Sequence, residues 1–262
     1  MNSLTRVSTG EASWDFYVTD RDEFLGNLSL DAFDLEKRTC GITWQIGEAH
    51  CSYDEYLEAF RFVTEFALFE LNMKKVNGIC RLDDETTNEL FSDIGYLTGR
   101  QYSSGKDRIQ RHSCDRYDLV ISEAKAAMSE HLDTDKWSFA FDSAKKRLGA
   151  CKWETNEISL SRYFVDLHSL DEIRQVLLHE IAHALSGSTA GHSKKWKDNA
   201  TRIGYRHEKI SGEEIGNATA RFVGTCPNGH TAYRHRKPKT ELSCSRCARR
   251  FDRRFLITWT VR

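Results

Sequence analysis

The sequence predicts an α+β chain built from several small domains, on three observations. Strand-like alternation is interleaved with capped amphipathic helices. Two polar seams interrupt the pattern. Charge and cysteine are divided unequally between the body of the chain and its C-terminal end. Of 262 residues, 38 are Lys or Arg and 39 are Asp or Glu. From Cys226 to Arg262 ten cations face two acids, a balance of +8, whereas residues 1 to 225 carry 28 cations against 37 acids, or −9. The formal charge of −1 therefore does not exclude a polyanionic partner. No stretch approaches the roughly 20 apolar residues of a membrane span, and the start MNSLTRVSTG lacks the apolar core of a secretory signal. An intracellular, cytoplasmic protein with no membrane partner is expected, and nothing specifies its oligomeric state.

Taken in order, SWDFYVTD, EFLGNLSL and RTCGITWQIG read as strands, the last two joined by the turn-like DAFDLEKR. Ser52 and Glu55 form a capping box opening a helix to about Asn72, with Leu57, Phe60, Phe66 and Ala67 at helical spacing. KKVNGICRL is a strand and TTNELFSDIGY a short helix. Residues 100 to 116, RQYSSGKDRIQRHSCDR, are polar and non-periodic and read as a linker; residues 206 to 220 form a second seam. Cys40, Cys51, Cys80, Cys114 and Cys151 show no repeated short spacing, as expected of reduced, buried thiols.

The words EFLGNLSL, FVTEFALFELNMKKVNGICRL and TTNELFSDIGYLTGR resemble the central and C-terminal part of the GNAT acetyltransferase fold. The resemblance implies a partial GNAT-like α/β domain over residues 12–103, followed by a linker at 104–117. That family holds the acetyl-CoA pyrophosphate on a Gly-rich turn before the long helix. Here the turn is GEAHCSYD, with Gly47 alone and with the acids Glu48 and Asp54, which would repel a pyrophosphate. A degenerate scaffold or docking domain is expected, with acetyl transfer as the alternative and no cofactor-binding residue assigned.

Ser169 and Glu172 form another capping box, and SLDEIRQVLLHEIAHALSG follows with Ile173, Val176, Leu177, Ile181, Ala184 and Leu185 on one stripe and Gly187 as a stop. His179 and His183 lie four residues apart, so both imidazoles leave the same helix face, and Glu180 sits beside the first. Two histidines so spaced can bind one Zn²⁺ with a carboxylate next to the metal's water. A third, His192, follows Gly191, and Trp196, Ala200 and Ile203 continue at helical spacing, which would anchor it. Three protein ligands and an open fourth position are the arrangement of a catalytic zinc site. His168 is a further ligand or donor candidate, though a surface or capping role suits its position better.

The run KKRLGACKWETNEISLSRYF, LLHEIAHALSG and GHSKKWKDNATRIG resembles the SprT-like, Spartan-related zinc metallopeptidases. The resemblance implies a zincin-type HExxH domain over residues 118–208, with His179, His183 and His192 as zinc ligands and Glu180 as general base. The interval from His183 to His192 is short for the eukaryotic members and suits a microbial or viral one. It further implies that the strand-like EISLSRYF, residues 157 to 164, holds an extended peptide substrate by main-chain hydrogen bonds.

In the tail, Cys226-x₃-His230 and Cys244-x₂-Cys247 are two ligand pairs separated by thirteen residues, enough for one tetrahedral Cys₃His zinc site. His235 is the rival to His230 but lacks a knuckle around it. A small β zinc ribbon over residues 222–262 is expected, closed by FLITWTV, and agrees with the SprT-like resemblance. Around it stand Arg234, Arg236, Lys237, Lys239, Arg246, Arg249, Arg250, Arg253 and Arg254, interleaved with Tyr233, Phe251, Phe255 and Trp259. Cations can neutralise phosphates and aromatics can stack on unpaired bases, so DNA is the expected partner, single- or double-stranded. The expectation is a zinc-dependent peptidase acting on protein near or crosslinked to DNA, with one catalytic and one structural zinc. The alternative is a non-catalytic adaptor.

Overall fold

The computed structural model describes residues 3–8, 11–18, 23–46 and 52–262. The chain divides into two compact units, Met1–Glu130 and His131–Arg262. Among the described residues it is a mixed α+β structure with seven α-helices and three sheets. No described helix is long and apolar enough to cross a membrane.

Unit 1 is a seven-stranded sheet with its helices on one face. Its strands are β1 (Ser3–Ser8), β2 (Glu11–Val18), β3 (Glu23–Asp34), β4 (Thr39–Ile46), β5 (Lys75–Arg81), β6 (Leu97–Ser104) and β7 (Asp107–Asp115). They lie in the order β1-β2-β3-β4-β5-β7-β6. Every neighbouring pair is antiparallel except β4 and β5, which run parallel over Thr39–Ile42 and Lys75–Gly78. The crossover between them is α1 (Tyr53–Glu65), continued by a π-helical turn at Phe66–Glu70, and the capping box of Ser52 and Glu55 is formed. Next come α2 (Glu85–Ile94), stopped by Gly95 in the left-handed region, and α3 (Arg116–His131).

Aromatic packing joins these layers. Phe60 of α1 and Phe91 of α2 meet Trp44 with ring centroids at 5.4 and 5.6 Å, and Phe66 meets Trp14 at 5.1 Å. Gly78 lets Phe91 onto the sheet, since a Cβ there would lie 2.2 Å from the ring. Such edge-on pairs add about 0.5–1.5 kcal/mol each beyond the area they bury.

Residues 104–117, expected as a linker, are instead the turn of the β6–β7 hairpin, β7 itself and the start of α3. The N-terminal sheet therefore does not end at residue 103. The sheet needs β7, because β7 pairs with β5 along Lys75–Arg81 and buries Gln110, His112 and Cys114. Division into compact units falls between residues 130 and 131 rather than at 117 and 118. The turn at residues 47–51, expected at the phosphate-binding position, lies outside the described residues.

Unit 2 begins with a three-stranded sheet of β8 (Ser138–Asp142), β9 (Gly149–Lys152) and β10 (Glu157–Ser161). Their order is β8-β10-β9, with β10 parallel to β8 and antiparallel to β9. EISLSRYF is thus only half strand, for α4 (Arg162–Leu167) begins at its sixth residue. There follow α5 (Leu170–Ser186), α6 (Lys194–Arg202) and α7 (Glu213–Ala218), the last within the expected seam at 206–220. A second small sheet of β11 (Phe222–Thr225), β12 (Thr231–Arg234) and β13 (Thr258–Val261), in the order β12-β11-β13, closes the chain.

Candidate metal centres

α5 starts at the capping box of Ser169 and Glu172 and ends where Gly187, at φ 100°, donates its N–H to the His183 carbonyl at 3.2 Å. Its stripe of Ile173, Val176, Leu177 and Ile181 is buried, which fixes the rotation of the helix and so the direction of His179 and His183. The following loop turns at Gly187 and at Gly191, φ 49°, a backbone region that glycine enters without penalty. α6 then packs back on α5. Asn199 Nδ2 donates to Ser186 Oγ at 3.0 Å and Lys195 Nζ to the Ser186 carbonyl at 2.8 Å.

This return delivers His192. His179 Nε2 lies 3.2 Å from His183 Nε2 and 3.2 Å from His192 Nε2. The three ligand atoms lie within 4.8 Å of one another. Trp196, 4% exposed, forms the floor, its ring 4.8, 5.3 and 4.5 Å from those of His179, His183 and His192. Burial, then the neighbouring imidazoles, push His179 down to about 4, and burial lowers His183 as well, so both offer lone pairs at neutral pH. Ligands at 2.0–2.1 Å around a tetrahedral Zn²⁺ stand about 3.3 Å apart, so the three nitrogens fit the ion.

Glu180 is 8% exposed, and burial lifts its carboxyl to about 7 against the opposing pull of the Cys151 backbone hydrogen bond and the Arg147 charge. Its place is cut into β9. A Cβ on Gly149 would lie 2.9 Å from Glu180 Cγ, so the strand passes the carboxylate only as glycine. β9 is also the edge strand of its sheet, whereas β10 is paired on both sides. The expectation that residues 157–164 hold a peptide by main-chain hydrogen bonds is therefore corrected. The backbone groups of β10 are already used, and the open edge beside Glu180 belongs to β9.

His168 lies at the start of α5, not with the other three. It is 7% exposed, with Nδ1 3.3 Å from Glu172 Oε2, a capping position. Sequence reasoning missed Tyr205 and His207. The Tyr205 ring stands 5.3 Å from His179, and His207 stands 5.0 Å from Tyr205. The only local signal was Gly204, at φ 88°, which reverses the chain after α6.

In the C-terminal sheet Cys226, His230, Cys244 and Cys247 converge within 4.8 Å. Cys226 Sγ lies 3.8 Å from Cys247 Sγ and 3.7 Å from His230 Nδ1, which in turn is 3.2 Å from Cys247 Sγ and 3.6 Å from Cys244 Sγ. With Zn–S near 2.3 Å, a tetrahedral ion requires about 3.8 Å between sulfurs and about 3.5 Å between sulfur and nitrogen, so this set also fits zinc. Burial opposes ionisation of Cys244, but the N–H groups of Arg246 and Cys247 together with the Cys247 and Cys226 thiols outweigh it and hold the thiol at about 6. His235 is exposed and outside the cluster.

Arg234, Arg236, Lys237, Lys239, Arg246, Arg249, Arg250, Arg253 and Arg254 are all exposed, and Arg254 pairs with Asp252 at 2.7 Å. Phe251 is 59% exposed among them, while Tyr233, Phe255 and Trp259 are half-buried. Trp259 packs where a Gly224 side chain would go.

The three-histidine set and the Cys/His cluster are thus two groups whose donor atoms could each hold a metal ion, consistent with zinc. The sequence profile of the SprT-like family matches residues 116–216, which marks that segment as a metallopeptidase-type domain. No curated protein matches the chain. Solved structures similar to it include mutant forms of the spermidine N-acetyltransferase SpeG from Vibrio cholerae. A phenylalanine-to-alanine mutant shows 11% identity over 40% of this chain and 66% of that one, TM-score 0.38. Glutamate-to-glutamine mutant forms show 11% over 43% and 70%, TM-score 0.39. A probable acetyltransferase shows 17% identity over 42% of this chain and 64% of its own, TM-score 0.38. The chain thus spans just under two thirds of the first and last of these.

Proposed function

We propose that unit 2 is a zinc-dependent endopeptidase acting on proteins at nucleic acid. The observation that carries the reading is the convergence of His179, His183 and His192 next to a glutamate that the helix and Gly149 hold in place. A purely structural site would have no use for that carboxylate. When bound, zinc polarises a peptide carbonyl and lowers the pKa of its water to about 7. Glu180 accepts the proton of the attacking water and returns it to the leaving amine. The outer edge of β9, beyond the Cys151 N–H that Glu180 uses, pairs with an extended peptide through main-chain groups, which makes cleavage only weakly dependent on sequence.

The second centre is closed by four protein ligands, the pattern of a structural zinc. Its surroundings supply the partner. The nine exposed cations favour a polyphosphate, and exposed Phe251 offers a face for base stacking. Exposed Lys145, Lys146 and Arg147 precede β9, and Lys194, Lys195 and Lys197 lie on or beside the first turn of α6, so cations also stand on the two segments next to Glu180 and His192. The test is cleavage of a protein–DNA crosslink and of the same free protein, each with and without DNA. Faster cleavage of the crosslink is expected. Equal rates on free protein without DNA detach the peptidase from nucleic acid.

A second reading concerns unit 1. β4 continues to Ile46 and β5 to Arg81 after their parallel pairing ends at Ile42 and Gly78, the kind of strand parting at which an acetyl-CoA could insert. Acetyl-CoA titrated calorimetrically into the protein tests this reading; heat of binding supports acyl transfer, and its absence favours a docking domain.

A further inference from the structure

The segment Tyr205-Arg206-His207 is built over the three-histidine centre, although it contributes none of its converging nitrogens. After α6 the Tyr205 N–H reaches back to the Ala200 carbonyl at 2.9 Å and Gly204 takes φ 88°. The middle residue is then clamped to α5. The Arg206 backbone N–H donates to Gln175 Oε1 at 2.8 Å, and Gln175 is 4% exposed. The Arg206 guanidinium forks onto both carboxylate oxygens of Asp171, and its Nε donates to Glu208 at 2.8 Å. Asp171, Gln175, His179 and His183 are spaced by four, so the clamp uses the same helical row as the histidines.

With Arg206 held, its neighbours face the centre. The Tyr205 ring lies edge-on to His179 at 5.3 Å, with Trp196 at 5.8 Å. His207 has φ 59°, a conformation that costs a non-glycine residue about 1 kcal/mol or more. Its Nε2 lies 2.8 Å from Thr201 Oγ1, and its ring backs Tyr205 at 5.0 Å. Among the described residues the Tyr205 hydroxyl donates to the Glu208 carbonyl, at 3.2 Å. That is long for an O–H···O bond, whose usual length is about 2.7–2.8 Å, and is readily exchanged for a better acceptor.

Peptide hydrolysis creates such an acceptor. Water oxygen adds to the carbonyl carbon, the π pair moves onto the carbonyl oxygen, and the water proton passes to Glu180. Collapse re-forms C=O and expels the amine, which takes that proton. The transient negative oxygen needs a donor, and the proton that Glu180 holds at this stage is committed to the leaving amine. Arg147, also near Glu180, is committed to Asp142 at 2.6 Å. We propose that Tyr205 is a catalytic residue whose phenol donates to the developing oxyanion, with Arg206 and His207 as its positioning residues. The proposal rests on the peptidase reading.

The test is Tyr205→Phe in the full-length, zinc-loaded protein. Zinc content and Tm stay at the parent values, kcat falls by about 10²–10³-fold, and KM changes less than about threefold. A phosphinic peptide, which mimics the tetrahedral oxyanion, binds Tyr205→Phe at least tenfold more weakly than the parent. An uncleaved peptide binds the Glu180→Gln protein equally well with and without Tyr205→Phe. Arg206→Ala reproduces part of the kcat loss, and Arg206→Lys restores less than half of it, because a lysine cannot fork. Parent-like kcat in Tyr205→Phe, or a loss matched by lost zinc, overturns the assignment while leaving the peptidase reading in place. A parent protein that cleaves nothing sinks both.

Discussion

Unit 1 and unit 2 are of nearly equal length and differ in charge and in what they add to an apolar core. Residues 1–130 contain 14 Lys and Arg against 24 Asp and Glu, a balance of −10, and residues 131–262 contain 24 against 15, or +9. Unit 1 buries large aromatic side chains, among them Trp14, Phe60 and Phe91, together with three thiols, Cys40, Cys80 and Cys114, that burial keeps protonated. Unit 2 has two small sheets and gathers its histidines and cysteines into two clusters. Both halves bury apolar area, and unit 2 adds two clusters of polar side chains that could each hold a cation. Stability and chemistry are therefore separable by the variable that is changed.

The largest effect is expected from the second cluster. About 40 residues cannot bury enough surface to fold unaided, and structural zinc contributes about 10–16 kcal/mol of apparent binding energy in such modules. Cys244→Ser should expose residues 222–262 to amide exchange and proteolysis while residues 1–130 keep their protection. The converse change, Phe91→Ala, leaves a void under Gly78 and His112 and should cost about 3–5 kcal/mol in unit 1. Its zinc content should stay at the parent value, read by metal analysis beside a denaturation curve.

A smaller effect comes from Gly149→Ala, whose methyl must displace the Glu180 side chain. Activity should fall about tenfold or more, with both zinc sites filled and the melting transition little changed. Replacing Arg249, Arg250 and Arg253 together by Ala should flatten the salt dependence of DNA binding. In a plot of log affinity against log salt, the slope should drop by about 0.9 for each phosphate no longer neutralised.

The smallest is a pH effect confined to unit 1. His112 is 4% exposed, its pKa is lowered by burial, and its Nδ1 has no hydrogen-bond partner among the described residues. The unfolded chain therefore takes up its proton first. Stability is unaffected above pH about 6.5 and falls as the pH drops below it, by at most about 1.4 kcal/mol per pH unit for this group. Protection factors of unit 1 amides, corrected for the intrinsic pH dependence of exchange, should fall from pH 7 to pH 5 in the parent and less in His112→Phe.

Most of the histidine-bearing helix α5 was legible because several local signals agreed. The Ser169 and Glu172 cap, the apolar stripe and the spacing of His179 and His183 are all properties of consecutive residues, and His192 and the Cys/His pairs lie in short loops. What failed did so where burial and polarity part company. In β7 the buried side is Gln110, His112 and Cys114, and β6 is exposed on both faces, so neither strand shows apolar alternation and the hairpin resembles a linker. β9, GACK, is too short to carry a period, and its role depends on an edge that only sheet order reveals. Tyr205 and His207 reach the centre through the Arg206 clamp onto α5, a link across more than thirty residues that no local pattern encodes.

The most direct test is the rate at which Glu180→Gln cleaves a protein substrate at a zinc content equal to that of the parent. Loss of at least about 10³-fold in kcat, with zinc and fold retained, is the predicted result. Cleavage at the parent rate would contradict the account, because the buried carboxylate beside the three histidines would then have no part in the chemistry.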